Sequence, residues 1–251
     1  MNQISLNKDY YLSDCEGYRQ FKTTKAKILS KRLKRILSLA EIRPGMRILD
    51  IGCGRGELVL HSGLLGVSFG IDSSEDALKI AYETERFWLR NFPFLSKRIL
   101  FIKADCQFLP FKDKKIEIVF LSDIVEHLSD DKIRIMLKEV FRVLKEDGKI
   151  IIHTSPNRIF LNYGLKFYYF LGRIFGKKLN WNMKEELPLG CKTPIHINEQ
   201  TTFRLRKTLR KAGFRKIKLW LEKNPFYVYY FLKETIFIKR INLFYRLIPF
   251  K

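Results

Sequence analysis

The feature that most constrains this chain is a glycine-rich turn that directly follows a short apolar strand. The strand covers Arg47 to Leu49, and the turn that follows reads Asp50-Ile51-Gly52-Cys53-Gly54-Arg55-Gly56. Glycines at alternate positions permit backbone angles that other residues avoid, and they let a ligand lie against bare backbone. The carboxyl end of the first strand is also where open α/β sheets bind their ligands. The turn therefore predicts an α/β fold with a ligand site at 50–56.

The spacing of the glycines narrows the class of ligand. The turn reads GxGxG with an acid before it, in place of the GxGxxG and GxxxxGKS patterns that hold phosphates. A pyrophosphate would be repelled by Asp50, whereas the amino group of an amino acid would form a charge-assisted hydrogen bond with it. We therefore expect a ligand with a cationic end.

Strands and helices alternate after the turn. Apolar segments predict four more strands, at 67–72, 98–105, 116–123 and 149–155, with helices between them. The helix before the last of these strands is expected to cover 129–148, with Gly148 as its stop. Near-continuous apolar strands separated by helices are typical of a parallel sheet covered on both faces. The chain is thus predicted to form a doubly wound, Rossmann-like, three-layer αβα fold.

Three segments lie outside this alternation. We expect a basic amphipathic N-terminal helix at 21–43, an aromatic and basic helical cap insertion at 157–197, and an aromatic C-terminal segment at 224–251. A helix from about 199 to 213 and a strand at 215–222 separate the last two. A length of 251 residues fits one α/β domain with an insertion better than two cores. We therefore predict a single domain over 1–251.

Two further acids end the second and third predicted strands. Asp72 can accept hydrogen bonds from both hydroxyls of a ribose, as the acid of dinucleotide folds does. Asp105 lies within reach of an adenine edge, and the backbone of Cys106 can add polar contacts there. With Asp50, three acids end three successive strands. The expected ligand is therefore a nucleoside.

These segments resemble the class I S-adenosylmethionine-dependent methyltransferases, in particular the quinone-biosynthesis and other small-molecule O-methyltransferases. ILDIGCGRGEL is similar to their glycine motif for the methionine moiety, GID to the ribose motif, ADCQFLPF to the adenine motif, and LSDIVEHL to the segment that lines the transfer site. The resemblance covers roughly 40–222. It implies S-adenosyl-L-methionine as cofactor and a seven-stranded, mostly parallel sheet with an antiparallel last strand. The cofactor-binding residues it implies are Asp50, Gly52, Cys53, Gly54, Gly56, Asp72, Ser73, Asp105, Cys106 and Ser122.

His127 and Asp123 are the candidate catalytic residues. A hydroxyl acceptor has to lose a proton, and His127 is the best-placed residue of the type that most often acts as a general base. The alternative is that Glu126 and His127 only pack the end of the fourth strand. Asp123, Glu126 and His127 form DxxEH, and a similar ExxEH run binds a divalent metal in some family members. Because the shorter Asp replaces the first Glu, we assign no metal site and leave that possibility open. His153, inside the fifth strand, is interpreted as a structural residue.

The identity of the methyl acceptor is left open between two classes. The balance of 48 Lys and Arg against 26 Asp and Glu gives a net charge of +22. This charge favours binding to phosphate-bearing surfaces, and the alternative is that it reflects an AT-rich genome. The first hypothesis is a hydroxyl of a small, lipid-linked or glycan-linked acceptor, with 157–183 and the basic helix at an anionic membrane surface. The alternative is an RNA methyltransferase. A non-catalytic regulator that binds the cofactor is disfavoured because the ligand-binding acids are all present.

Signals for export are lacking at the N-terminus, and no window reaches about 18 uninterrupted apolar residues. The four cysteines show no CxxC pair and no metal-ligand spacing, which is typical of reduced thiols. We therefore expect a cytoplasmic enzyme, with peripheral attachment to the inner membrane face as the alternative. The sequence does not indicate an oligomeric state.

Overall fold

The computed structural model of the chain describes residues 7–154, 197–223 and 241–248. The strands are β1 Arg47–Ile51, β2 Val67–Asp72, β3 Ile99–Lys103, β4 Ile116–Ser122, β5 Leu144–Thr154, β6 Lys216–Lys223 and β7 Ile241–Ile248. The α-helices are α1 Tyr18–Thr24, α2 Lys31–Ala40, α3 Glu57–Gly63, α4 Glu75–Leu89, α5 Asp130–Val143 and α6 Thr202–Lys211. Short irregular helical turns cover Tyr10–Asp14, Pro93–Lys97 and Val125–His127.

The strands form one sheet in the order β3-β2-β1-β4-β5-β7-β6. β1 pairs in parallel with β2 and β4, β2 with β3, and β4 with β5. β7 pairs antiparallel with β5 and β6. The chain runs outward from β1 to β3 and then crosses back to β4, which leaves a crevice between β1 and β4 at their carboxyl ends. The predicted Rossmann-like α/β fold with a parallel sheet is confirmed.

Helices cover both faces of the central strands because the strand residues alternate between two buried clusters. On one face, Leu49 and Ile51 of β1 pack with Met136 of α5 and Leu205 of α6. On the other face, Ile48 packs with residues of α2 and α3, including Leu33, Ile36 and Leu58. A third cluster joins α3, α4 and β3 to the segment before α2. This arrangement leaves the strand ends as the exposed edge of the sheet.

Two helices, α1 and α2, occupy the region where one helix was predicted at 21–43. The chain breaks at Lys25 and Ala26, whose φ angles are 49° and 63°. Phe21 of α1 is buried in the cluster beside α3 and α4, whereas Leu33 of α2 is buried against the sheet. One straight helix would not bury both side chains, so the chain turns between them. Ser30 then caps α2, since its hydroxyl accepts the backbone N–H of Leu33 at 3.3 Å.

Helix α5 ends at Val143, five residues before the predicted stop at Gly148. Residues 144–148 belong to β5, whose register against β4 shifts between Ile116 and Ile118. At Gly148 a Cβ atom would lie 3.1 Å from the carbonyl oxygen of Glu117. The glycine therefore permits a close approach of two strands, and it does not end the helix.

Several sequence predictions fall outside the described residues. The cap at 157–197 does so except for Ile197, and the C-terminal segment at 224–251 does so except for β7. The backbone of β7 shows that part of this C-terminal segment is a strand. Among the helices that the structure describes, none is long and apolar enough to cross a membrane.

Candidate active site

A cleft of about 1330 Å³ opens at the carboxyl ends of β1, β2 and β4. Parallel strands end at the same edge of a sheet, so residues that are distant in sequence meet there. The predicted site residues that line the cleft are Asp50, Gly52, Cys53, Gly54, Asp72, Ser73, Asp105, Cys106, Ser122, Asp123 and His127.

The glycine turn forms the floor of the cleft with bare backbone. The N–H groups of Gly52 and Cys53 both donate to the carbonyl oxygen of Ile71, at 2.8 and 3.0 Å, and so bend the chain over β2. Gly52 has a φ of 72°, and a Cβ atom there would lie 2.9 Å from the Ile124 side chain. A larger residue would strain the turn and collide with Ile124.

Gly56 is the one predicted cofactor residue that does not line the cleft. It precedes α3 with a φ of 79°, and a Cβ atom there would lie 2.7 Å from the ring of Phe101 and 3.2 Å from Ala81. Its place in the turn is set by close packing against β3 and α4. The glycine motif thus combines residues that face the ligand with one that faces the core.

Asp72 supports the turn and faces the cleft. One carboxylate oxygen accepts the N–H of Gly54 at 2.9 Å, and the other accepts the N–H of Ser74 at 2.8 Å. Burial raises the pKa of Asp72, although these backbone hydrogen bonds oppose the rise. A carboxylate can accept about four hydrogen bonds, so acceptor capacity remains. Asp72 can therefore accept hydroxyl groups of a ligand while it holds the glycine turn.

Asp50 carries a buried carboxylate oxygen with an unmet hydrogen bond. Its side chain is 3% exposed, and within the described residues Oδ1 makes no hydrogen bond. Burial raises the pKa of Asp50 well above its usual range, the charge of Asp72 raises it further, and Arg32 lowers it. Leaving a buried polar atom unpaired is costly. A cationic amino group in the cleft would satisfy this oxygen, so the site suits the methionine end of S-adenosylmethionine.

Asp105 and Cys106 lie at the end of the cleft beyond β3. The pKa of Asp105 is lowered. Partial burial would raise it, but hydrogen bonds from Gln107, whose backbone N–H donates to the carboxylate at 2.9 Å, lower it by more. Burial and the neighbouring Asp105 raise the pKa of Cys106 to about 12. Burial also raises the pKa of Cys53 well above its usual range. Asp105 is thus a carboxylate, and both cysteines are neutral thiols that line the cleft.

Asp123 is half-buried and reaches the cleft as part of an ion-pair cluster with Arg32 and His153. It has a φ of 55° and forms an ion pair with Arg32. Its Oδ1 atom lies 2.6 Å from Nδ1 of His153, which is fully buried. Asp123 therefore fixes the loop after β4 by binding α2 and β5, and both of its carboxylate oxygens already have protein partners.

The side chains of the DxxEH run, Asp123, Glu126 and His127, face different directions. Glu126 is buried, and its carboxylate accepts the hydroxyl of Thr154 at 2.8 Å. Its backbone oxygen accepts the N–H groups of Ile197 and Asn198, at 3.0 and 3.1 Å. His127 lines the cleft and is half-buried. No cluster of three or more His, Cys, Asp or Glu in the described ranges could hold a metal ion.

Sequence reasoning did not single out Arg32 and Arg55, which both shape the site. Arg32 lines the cleft and contacts Ser122 at 3.4 Å in addition to its ion pair with Asp123. It is one of many cations between 21 and 43, and nothing in the sequence marks it as the one that points at the strand ends. In the sequence, Arg55 is a variable residue between Gly54 and Gly56 of the glycine turn, and no role was predicted for it.

Arg55 ties the N-terminal segment over the cleft. Its guanidinium is buried and donates to the Glu57 carboxylate at 2.6 Å, to the carbonyl of Tyr11 at 3.0 Å and to that of Glu16 at 2.9 Å. It also lies over the ring of Phe21 at 4.8 Å. Through these contacts Tyr11 becomes part of the cleft wall. Burial raises the pKa of Tyr11, which keeps its hydroxyl neutral.

Comparison with known proteins identifies the family. Residues 48–148 match a family model described as a methyltransferase domain. The chain is 30% identical over 201 residues to a demethylmenaquinone methyltransferase of Lactococcus lactis. The alignment covers 74% of this chain and 70% of that protein. The chain belongs to the methyltransferase family. This methyltransferase is also 36% identical over 124 residues to the mitochondrial ubiquinone biosynthesis O-methyltransferase of Bos taurus, across 48% of this chain and 31% of that protein.

The fold comparison agrees with this assignment. A phosphoethanolamine N-methyltransferase 2 of Haemonchus contortus, solved in complex with S-adenosyl-L-methionine, superposes with a TM-score of 0.62 at 15% identity. The superposition covers all of this chain and 62% of that chain. The predicted enzyme class and the predicted cofactor, S-adenosylmethionine, are both confirmed.

Proposed function

We propose that this methyltransferase transfers a methyl group to a small-molecule acceptor of the kind used in quinone biosynthesis. The observation that carries the proposal is one continuous cleft that joins the buried carboxylates Asp50 and Asp72 to His127. The relatives named demethylmenaquinone methyltransferase and ubiquinone biosynthesis O-methyltransferase support the class of acceptor.

Three strand ends would hold the methyl donor. Asp50 would bind the amino group of its methionine moiety, Asp72 the ribose hydroxyls and Asp105 the adenine edge. The floor at Gly52 and Gly54 would lie along the methionine moiety. Arg32, one of the cations that line the cleft, would face its carboxylate group. When bound, S-adenosylmethionine supplies a methyl group activated by a sulfonium.

The acceptor would bind on the side of the cleft formed after β4. Ile124, Leu128 and Ile197 give this side an apolar wall, and His127 lies among them. Nucleophile alignment and exclusion of water are the main requirements of an in-line methyl transfer. His127 would take the proton of a hydroxyl acceptor. Asp123 would act as a positioning residue, because Arg32 and His153 already occupy its carboxylate.

The wider architecture of the enzyme forms part of the proposal. We propose one domain over 1–251 with seven strands, a helical cap at 157–197 over the acceptor, and an aromatic C-terminal segment at 224–251. We also propose a cytoplasmic protein that attaches peripherally to an anionic membrane. The aromatic and basic composition of 157–183 supports both the cap and the attachment.

Tracing the transferred label tests the class of acceptor. Purified protein is incubated with tritiated S-adenosylmethionine and a cell extract, which is then separated into lipid, small-molecule, RNA and protein fractions. We expect label in a lipid or small-molecule fraction that co-migrates with quinone precursors, and loss of that label with Asp50→Asn. Label confined to RNA or protein would contradict the proposal.

A further inference from the structure

Helix α6 has two faces of opposite character. Leu205 and Leu209 are fully buried against the core. At 100° per residue, the opposite side of the helix carries a stripe formed by Phe203, Lys207, Arg210 and Lys211, all of them exposed. The ring of Phe203 is 77% exposed. We call these four residues the α6 stripe.

The cations of the α6 stripe have no acidic partner in the described part of the chain. Arg204 of the same helix, which is not part of the stripe, forms an ion pair with Asp130. The helix sequence, TFRLRKTLRK, contains no acid, and the exposed Arg215 and Lys218 follow it. The stripe therefore presents a concentrated positive charge next to one large exposed aromatic ring.

The α6 stripe begins at the mouth of the cleft. Ile197, Asn198 and Arg204, which flank Phe203 in the chain, all line the cleft. Ile197 is 65% exposed, so a second apolar side chain is open to solvent near the start of the helix. Any surface that binds the stripe would thus lie close to the cleft opening.

We propose that the α6 stripe, together with Ile197, docks the enzyme on an anionic phospholipid bilayer with the cleft opening next to the lipid. The inference rests on the proposed function and names the surface by which a lipid-linked acceptor is reached. Lys207, Arg210 and Lys211 match anionic headgroups, and the exposed side chains of Phe203 and Ile197 enter the headgroup region. A lipid surface is favoured over RNA because this surface has a single ring, Phe203, for base stacking, whereas its second exposed apolar side chain, Ile197, is aliphatic and suits lipid.

Charge-reversal variants test whether vesicle binding depends on the α6 stripe or only on the net charge of +22. Vesicles of phosphatidylcholine with and without phosphatidylglycerol are sedimented with the wild type and with the triple variant Lys207→Glu, Arg210→Glu and Lys211→Glu. The matched control reverses three exposed lysines elsewhere, namely Lys97→Glu, Lys112→Glu and Lys138→Glu. At roughly fivefold in affinity per basic residue, the stripe variant should bind anionic vesicles at least tenfold more weakly than the control. Equal losses in both variants, or no binding by the wild type, would overturn the proposal.

Phe203 gives an independent test of insertion. The variant Phe203→Trp is mixed with anionic vesicles that contain brominated lipid, and Phe94→Trp, at an exposed ring on another part of the surface, serves as control. We expect quenching of the fluorescence added at position 203 and none at position 94. Absence of quenching at 203, or a selective loss of affinity for a short RNA in the stripe variant with unchanged vesicle binding, would contradict lipid docking.

Titration of S-adenosylmethionine into the stripe variant without vesicles separates this proposal from the function itself. Unchanged cofactor affinity with lost vesicle binding supports the docking surface. Failure of the wild type to methylate any lipid or small molecule would refute the proposed function, whatever the vesicles show.

Discussion

At the scale of single residues, Asp50 is placed for binding at the expense of stability. Burial raises the pKa of its carboxyl group above the value in the unfolded chain, so the folded state binds that proton more tightly. The stabilisation from this proton is present at low pH and is lost as the pH rises through the raised pKa. At higher pH the buried carboxylate therefore lowers the stability of the ligand-free protein.

The variant Asp50→Asn should show this trade-off. We expect the ligand-free variant to gain about 1 kcal/mol in the free energy of unfolding, more at higher pH, and to bind S-adenosylmethionine at least tenfold more weakly. The wild type should lose affinity as the pH falls through the raised pKa, because the carboxylate that faces the amino group is protonated. Urea unfolding and calorimetric titration across pH measure both effects. A variant that is less stable than the wild type would contradict this interpretation.

His127 offers a second test at the same scale. Replacement by Ala should lower kcat for a hydroxyl acceptor by about 10²- to 10⁴-fold, because a general base is lost, and should leave cofactor affinity unchanged. Turnover at saturating acceptor and a cofactor titration on the same sample provide the two readouts. A rate equal to that of the wild type would exclude His127 as the base.

The sequence predicted this level of the site unevenly. Asp50 and Asp72 could be found because the ends of parallel strands must converge, and the structure places both in one cleft. The sequence could not show that Gly56 packs closely against Phe101, or that Asp123 binds Arg32 and His153, because these contacts come from elements that are distant in the chain. Arg32 could not be found, since its helix carries many equivalent cations.

At the scale of elements, the buried Arg55, paired with Glu57, holds the segment around Tyr11 and Glu16 to the site. Arg55 and Glu57 are both buried, and Arg55 also binds the carbonyl groups of Tyr11 and Glu16. The two helices at 18–40 were hard to predict for the same reason, because the break at Lys25 depends on contacts with distant elements. Local periodicity contains no information about those contacts.

The variant Glu57→Gln should loosen this segment. Removing one charge of a buried pair leaves Arg55 without its counterion, and we expect a loss of about 3 kcal/mol in the free energy of unfolding. Limited proteolysis should cut more rapidly within 7–30, and the binding of cofactor should weaken because Tyr11 lines the cleft. Glu83→Gln, on the exposed side of α4, is the matched control and should change neither property. Equal stability of the two variants would show that the pair does not hold the segment.

At the scale of the whole molecule, the alternation of strands and helices was sufficient to predict the fold class. Each central strand is apolar along its length because helices cover both faces, and that pattern is visible in the sequence. The position of β7 between β5 and β6 could not be read in this way. Its residues lie in an aromatic segment whose pairing partners are 18 to 32 residues away in β6 and 89 to 97 residues away in β5.

Calorimetric titration of the whole protein with S-adenosylmethionine and its demethylated product is the most direct test of the central claim, that the ends of β1 and β2 form the cofactor site. We predict binding of one molecule per chain to the wild type and to the control Asp147→Asn, an exposed site remote in sequence from the strand ends. In Asp72→Asn, loss of a charged hydrogen-bond acceptor should weaken binding by at least about tenfold. Equal affinity of Asp72→Asn and the wild type, or no binding by the wild type, would contradict the claim.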